Sequence, residues 1–197
     1  MAYRKYTSSS VLSCTGTVTI IFGVLSILWQ IAELVITEDS YMFETVLRYT
    51  YAFRAAPGLW AGLFNVFTGS LAIFAARRIA WRRIAPDYVP DTVPQVFEMV
   101  AGFGIFTCIL DFTLILIHIY ILIVLRRVRD YEYGYYSHTA NMNIIFLTVL
   151  SALLVTGGCV NIILNMIAAL VACWEMKAER KLIAGETYIE VQKQYFK

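Results

Sequence analysis

Four long runs of apolar residues, 11–36, 58–76, 96–125 and 144–174, alternate with short polar stretches along this chain. About 20 apolar residues cross a bilayer as an α-helix, so each run is long enough to be a membrane span. Helices are expected rather than strands, because a membrane β-barrel reads as short segments of alternating polarity. The third and fourth runs exceed one bilayer thickness and should tilt or project beyond the headgroups, both next to the 126–143 connection. The first is too long for the core of a signal peptide and lacks a small-residue cleavage site, so it is expected to be a retained span.

Within each run the small and hydrogen-bonding residues recur at steps of three and four. The first carries Gly16, Thr19, Gly23, Ser26, Gln30 and Glu33, and the second Gly58, Gly62, Asn65, Gly69, Ala72 and Ala76. The third carries Gly104, Cys108, Asp111, Ile115 and His118, and the fourth Ser151, Leu154, Gly158, Asn161, Asn165, Ala168 and Ala172. A seven-residue repeat of this kind marks a left-handed packing seam. In lipid no hydrophobic drive brings helices together, and association rests on close contact over small residues and on interhelical hydrogen bonds. The pattern therefore predicts an all-α, integral membrane four-helix bundle, left-handed, with antiparallel neighbours and its stripes meeting at the centre. Gly16, Gly23, Gly58, Gly62, Asn65, Gly69 and Gly158 are the expected contact points, between these helices or with a partner.

Composition agrees. The 197 residues are 59% hydrophobic and 15% charged, and the mean hydropathy is +0.66. Soluble domains are nearer 45–50% apolar and about 25% charged. A net charge of +2, without a basic run interleaved with aromatics, gives no reason to expect nucleic acid as a partner. Lys and Arg set the orientation. Eleven fall on the side of the two termini and the 77–95 connection and five on the other, so both termini are expected in the cytoplasm. The basic cluster Arg126, Arg127 and Arg129 runs against that trend.

The connections add detail. Met42, Val46, Tyr49 and Phe53 share one helical face and predict a short interfacial helix in the first outer loop. Pro86, Pro90 and Pro94 predict a stiff, extended connector. The four cysteines, Cys14, Cys108, Cys159 and Cys173, all lie outside the expected outer loops, so no outer disulfide is expected. Cys108 and Cys159 read as small buried hydrophobes. Cys14 and Cys173, near the cytoplasmic face, read either as packed thiols or as sites of reversible palmitoylation. No N-x-[ST] acceptor occurs.

Ionisable groups inside a span are costly and call for a named partner. Asp111 lies mid-span, and His118 is two turns further on the same face, about 10 Å away along the axis. Asn161 and Asn165 sit mid-span on the fourth helix, and Gln30, Glu33 and Asn65 lie on their own seams. Three uses are open. One is a polar lock in which protonated Asp111 bonds to Asn161 or Asn165. Another is a docking point for a polar residue of a partner's membrane helix, and the third is a proton or cation pathway through Asp111 and His118. A pore needs a continuous polar lining, and Leu and Ile separate these groups. No H-E-x-x-H, G-x-S-x-G or glycine-rich phosphate loop is present, so no catalytic residue, metal site or cofactor is expected.

The second run, "PGLWAGLFNVFTGSLAIFAARR", carries Pro57, Trp60, Gly62, Gly69, Leu71 and Arg77. It resembles the second span of the membrane-spanning four-domains family, which includes the B-lymphocyte antigen and sarcospan. That span reads small/Pro-x-x-W-G followed by S-G-S-L-x-x-A-x-x-R. Here Ala61 follows the tryptophan, the glycine comes at Gly62, and "TGS" replaces "SGS". The "TGTVTIIFGVLSILWQI" of the first run and the "AALVACW" ending the fourth are similar in spirit. The resemblance implies a four-helix plasma-membrane protein with cytoplasmic termini. Such a protein would form homo- or hetero-oligomers with receptors, channels or adhesion complexes and catalyse nothing. The expected function is thus a four-span accessory or scaffold protein, in contact with lipid and with other integral membrane proteins. The alternative is a small channel or proton-coupled carrier.

Overall fold

A computed structural model of the chain describes residues 2–38, 56–84, 93–132 and 138–195, and all but Ala56 are helical. The helices are α1 (Ala2–Glu38), α2 (Pro57–Ile84), α3 (Val93–Glu132) and α4 (His138–Tyr195). Each contains a stretch long and apolar enough to cross a membrane: Ser8–Thr37, Pro57–Trp81, Gln95–Arg127 and Met142–Ala178. Among the described residues the chain is all-helical, a membrane protein with four candidate spans. Pro57 opens α2 at a position where its missing N–H is no loss. The Ala56 carbonyl, held at φ 44°, accepts the Leu59 N–H at 3.0 Å there. Pro94, expected in an extended connector, instead lies in the first turn of α3, where proline fits equally well. The interfacial helix expected around Met42 to Phe53 lies outside the described residues, as do Pro86 and Pro90.

Sequence neighbours pack side by side, α1 on α2, α2 on α3 and α3 on α4, and α4 returns to pack on α1, while α2 and α4 touch only slightly across the diagonal. All four neighbouring pairs run antiparallel. Gly16 meets Gly69 and Gly23 meets Gly62, Thr68 meets Thr107 and Asn65 meets Asp111, and Gly104 meets Asn165 while Gly158 meets Ile115. Gly157 meets Ser26 while Ser151 meets Glu33. One end of the assembly, called proximal below, therefore gathers the starts of α1 and α3 with the ends of α2 and α4.

The α1–α2 seam is the tightest. A Cβ on Gly16 or Gly69 would stand 2.6 Å from the other's carbonyl oxygen, and one on Gly62 would stand 2.6 Å from the Gly23 oxygen. Only glycine allows two backbones that close. Every residue of the α1, α2 and α4 stripes is buried, from Gly16 to Glu33, Gly58 to Ala76 and Ser151 to Ala172. The α3 stripe is buried except at Cys108, which is half-buried. The opposite faces carry exposed Leu, Ile, Val and Phe. Hydroxyls on that exterior are hidden locally: Thr17, Ser70, Thr113 and Thr156 each donate to the carbonyl four residues back, at 2.7–2.9 Å. In hydrocarbon no water is available to do so.

Candidate functional site

Polar side chains from all four helices meet in the middle of the assembly, in two layers. In the proximal layer Asn65 Nδ2 donates to Asp111 Oδ1 at 2.7 Å and also to the Ala61 carbonyl at 2.9 Å. Asn165 Nδ2 donates to Asn65 Oδ1 at 2.8 Å. One turn closer to the proximal end, the Thr68 and Thr107 hydroxyls bond at 2.8 Å. The carboxyl expected to bond to Asn161 or Asn165 is held by Asn65 of α2, with Asn165 of α4 bonded to Asn65 and also beside the carboxyl itself. The reason is register: the α2–α3 seam sets residue 65 against residue 111. Asn161 makes no hydrogen bond through either polar atom, and the same holds for Asp111 Oδ2 and Ser26 Oγ.

The second layer, nearer the distal end, centres on Glu33. Its Oε1 accepts from Ser151 Oγ at 2.7 Å, and its Oε2 accepts from Gln30 Nε2 at 3.1 Å. His118 Nε2 stands 3.2 Å from Oε2, and Gln30 Oε1 accepts the Gly58 backbone N–H at 2.9 Å. His118 Nδ1 is 3.0 Å from the Leu114 carbonyl, which can only accept. Nδ1 therefore carries a hydrogen. Nε2 then faces a carboxylate oxygen either as an imidazolium donor or as a lone pair receiving the carboxyl proton. In both cases one proton lies between the two groups and the pair is neutral. Glu33, His118 and Gln30 are all 0% exposed, so neutrality is what the surroundings require. Spacing along α3 puts His118 on the face of Asp111, two turns further on. Packing pairs it instead with a residue 85 positions away.

Apolar clusters flank the polar layers toward both ends. Leu12, Ala72, Ala75, Ala76, Phe97, Val100 and Ala172 form the proximal one, and Ile121, Leu125, Ile144 and Leu147 the distal one. Sequence reasoning did not anticipate Ser151 as a ligand of Glu33 or the Thr68–Thr107 contact. Ser151 lay on its stripe, but Thr68 and Thr107 sit one step off theirs and gave no signal. The ion pair of Arg180 with Glu98, at 2.6 Å, is exposed and worth little.

The seven predicted contact residues, Gly16, Gly23, Gly58, Gly62, Asn65, Gly69 and Gly158, all touch neighbouring helices of the same chain. Of the two candidate acylation sites, Cys14 is exposed and Cys173 is half-buried against the proximal apolar layer. Cys159, expected to be buried, is exposed, because it follows Gly158 on α4 and so falls just off the packed face. Among the described residues no group of three or more His, Cys, Asp or Glu could hold a metal ion. Comparison with family models, curated proteins and solved structures returns no match.

Proposed function

We propose that this is a non-enzymatic four-span accessory or scaffold protein that packs laterally, with itself or with a larger membrane complex such as a receptor, channel or adhesion complex. The observation that carries this reading is that apolar clusters flank the polar centre toward both ends, which fits a fixed structural unit better than a conduit. The glycine seams are used inside the chain, so the surface offered to a partner is the exterior. There Trp60, Phe67, Phe74 and Trp81 form an exposed aromatic row on α2, one residue every seven. That spacing is the repeat on which parallel or antiparallel helices pack. The reading places the protein in the plasma membrane with cytoplasmic termini, as its Lys and Arg distribution favours, and in the style of the membrane-spanning four-domains family that α2 resembles.

The test is assembly in mild detergent. Wild-type protein is expected to migrate as a defined oligomer or complex, identified by cross-linking and mass spectrometry. The triple variant Trp60→Leu, Phe67→Leu and Phe74→Leu should stay folded but lose that assembly. Monomeric wild-type protein without a partner counts against the proposal. A second reading, a small ion channel or proton-coupled carrier using Asp111 and His118, is favoured by the burial of both groups together with Glu33. Transport by reconstituted protein that Asp111→Asn abolishes would establish it in place of the first.

A further inference from the structure

Among the described residues, Asp111 Oδ2, Asn161 Oδ1 and Nδ2, and Ser26 Oγ are buried and unbonded. Cys108 Sγ lies 3.6 Å from the Ile162 carbonyl, and a Cβ on Gly158 would meet Ile115 at 3.0 Å. Asp111 and Asn161 fall between those two contacts on facing helices, at one level. A Cβ on Gly157, one turn from Asn161, would come 3.8 Å from Ser26 Oγ. Asp111 and Asn161 thus share a level and Ser26 lies one turn from it, so the three side chains with unbonded polar atoms occupy one region of the core, on three helices. On the remaining helix, α2, Asn65 Oδ1 accepts one hydrogen bond and keeps a second lone pair. All four side chains are at most 1% exposed. An unsatisfied polar group in such a place is strongly disfavoured, and four together are expected to have a ligand.

We propose that this cluster binds one sodium ion within the membrane, through the Asp111 carboxylate, the Asn161 carbonyl oxygen and the Ser26 hydroxyl, with Asn65 Oδ1 as a further ligand. The set is one carboxylate and three neutral oxygens, the chemistry that suits a hard cation. Charge selects the valence. The layer holds one carboxylate, and the described parts of the four spans place no Lys or Arg beside it. A monovalent ion leaves the layer neutral, whereas a divalent ion would leave an excess positive charge in a medium of low dielectric. The Glu33–His118 pair is neutral on its own account and does not compete for the ion. The site stands independently of any lateral partner, because every ligand comes from within one chain.

The experiment uses purified full-length protein in detergent, with sodium, potassium or choline chloride at equal ionic strength. Radiolabelled sodium is expected to bind at one ion per chain. At a hundred times its dissociation constant, sodium should raise the thermal midpoint by about 5–10 °C over choline. Asp111→Asn keeps the shape of the side chain and should lose both effects, and Ser26→Ala should weaken sodium binding while leaving the fold intact. Equal midpoints in sodium and choline with no labelled sodium retained would overturn the proposal and leave water as the occupant. So would a sodium effect that survives Asp111→Asn, and equal stabilisation by potassium would overturn the choice of ion.

Discussion

Gly62→Leu is expected to separate α1 from α2 while the chain still inserts into the membrane. A Cβ at this position would stand 2.6 Å from both the Gly23 carbonyl oxygen and Ile27 Cγ1. The first of these is backbone and cannot rotate away, so relief requires moving a helix. Such a move spreads along the seam, because Gly16 and Gly69 meet just as closely one heptad away. The loss should reach or exceed the about 1–3 kcal/mol typical of overpacked cores. It also removes the register that sets Asn65 against Asp111. Detergent unfolding titrations with a cysteine pair across the α1–α2 seam would read it as lost cross-linking and a lower midpoint. Gly102→Leu is the control, since a Cβ there meets nothing within 4 Å. If Gly62→Leu and Gly102→Leu behave alike, close backbone contact is not what holds these two helices together.

The second large effect belongs to Glu33. Glu33→Leu deprives Ser151 Oγ and Gln30 Nε2 of their acceptor and His118 Nε2 of its partner at once. Truncating one member of a buried pair costs about 3–5 kcal/mol, because the groups left behind stay desolvated. His118→Leu alone should also be severe, since it strands the carboxyl. The double variant should be less destabilised than the sum of the singles, by about 1 kcal/mol or more. Unfolding free energies in mixed micelles supply the four corners of that cycle. Additive losses would show that Glu33 and His118 do not share a proton in the folded protein. A single interhelical hydrogen bond in a membrane averages only about 0.6 kcal/mol, so the size of the effect rests on the unsatisfied groups rather than on the bonds themselves.

The inward faces of the helices were legible because a helix repeats every 3.6 residues, and lipid rejects glycine, serine and asparagine as firmly as it accepts leucine and phenylalanine. Steps of three and four from Gly16 to Glu33, and from Ser151 to Ala172, mark the sides that turn inward in the structure. Cys159 shows the limit of that reading. Depth in the membrane is set by position along the helix, but burial is set by angle around it, and one residue past Gly158 the side chain points to lipid. The polar partners were less legible. Asp111 and His118 share a face of α3, which made them look like one unit, yet Asp111 is claimed by Asn65 of neighbouring α2 and His118 by Glu33 of α1 across the diagonal.

By itself, the sequence determined four membrane-spanning helices and the face each turns inward, because both follow from transfer of side chains between water, lipid and protein at a fixed helical period. Only the tertiary structure decided that Glu33 answers His118, that Asn65 answers Asp111, and that Ser26 Oγ and Asn161 are left without hydrogen-bond partners. Pairing depends on which helices are neighbours and on how far each slides along the next. That axial offset is set by where two backbones can touch, at Gly16 with Gly69 and Gly23 with Gly62. It is a property of two surfaces together, and no single stretch of chain encodes it.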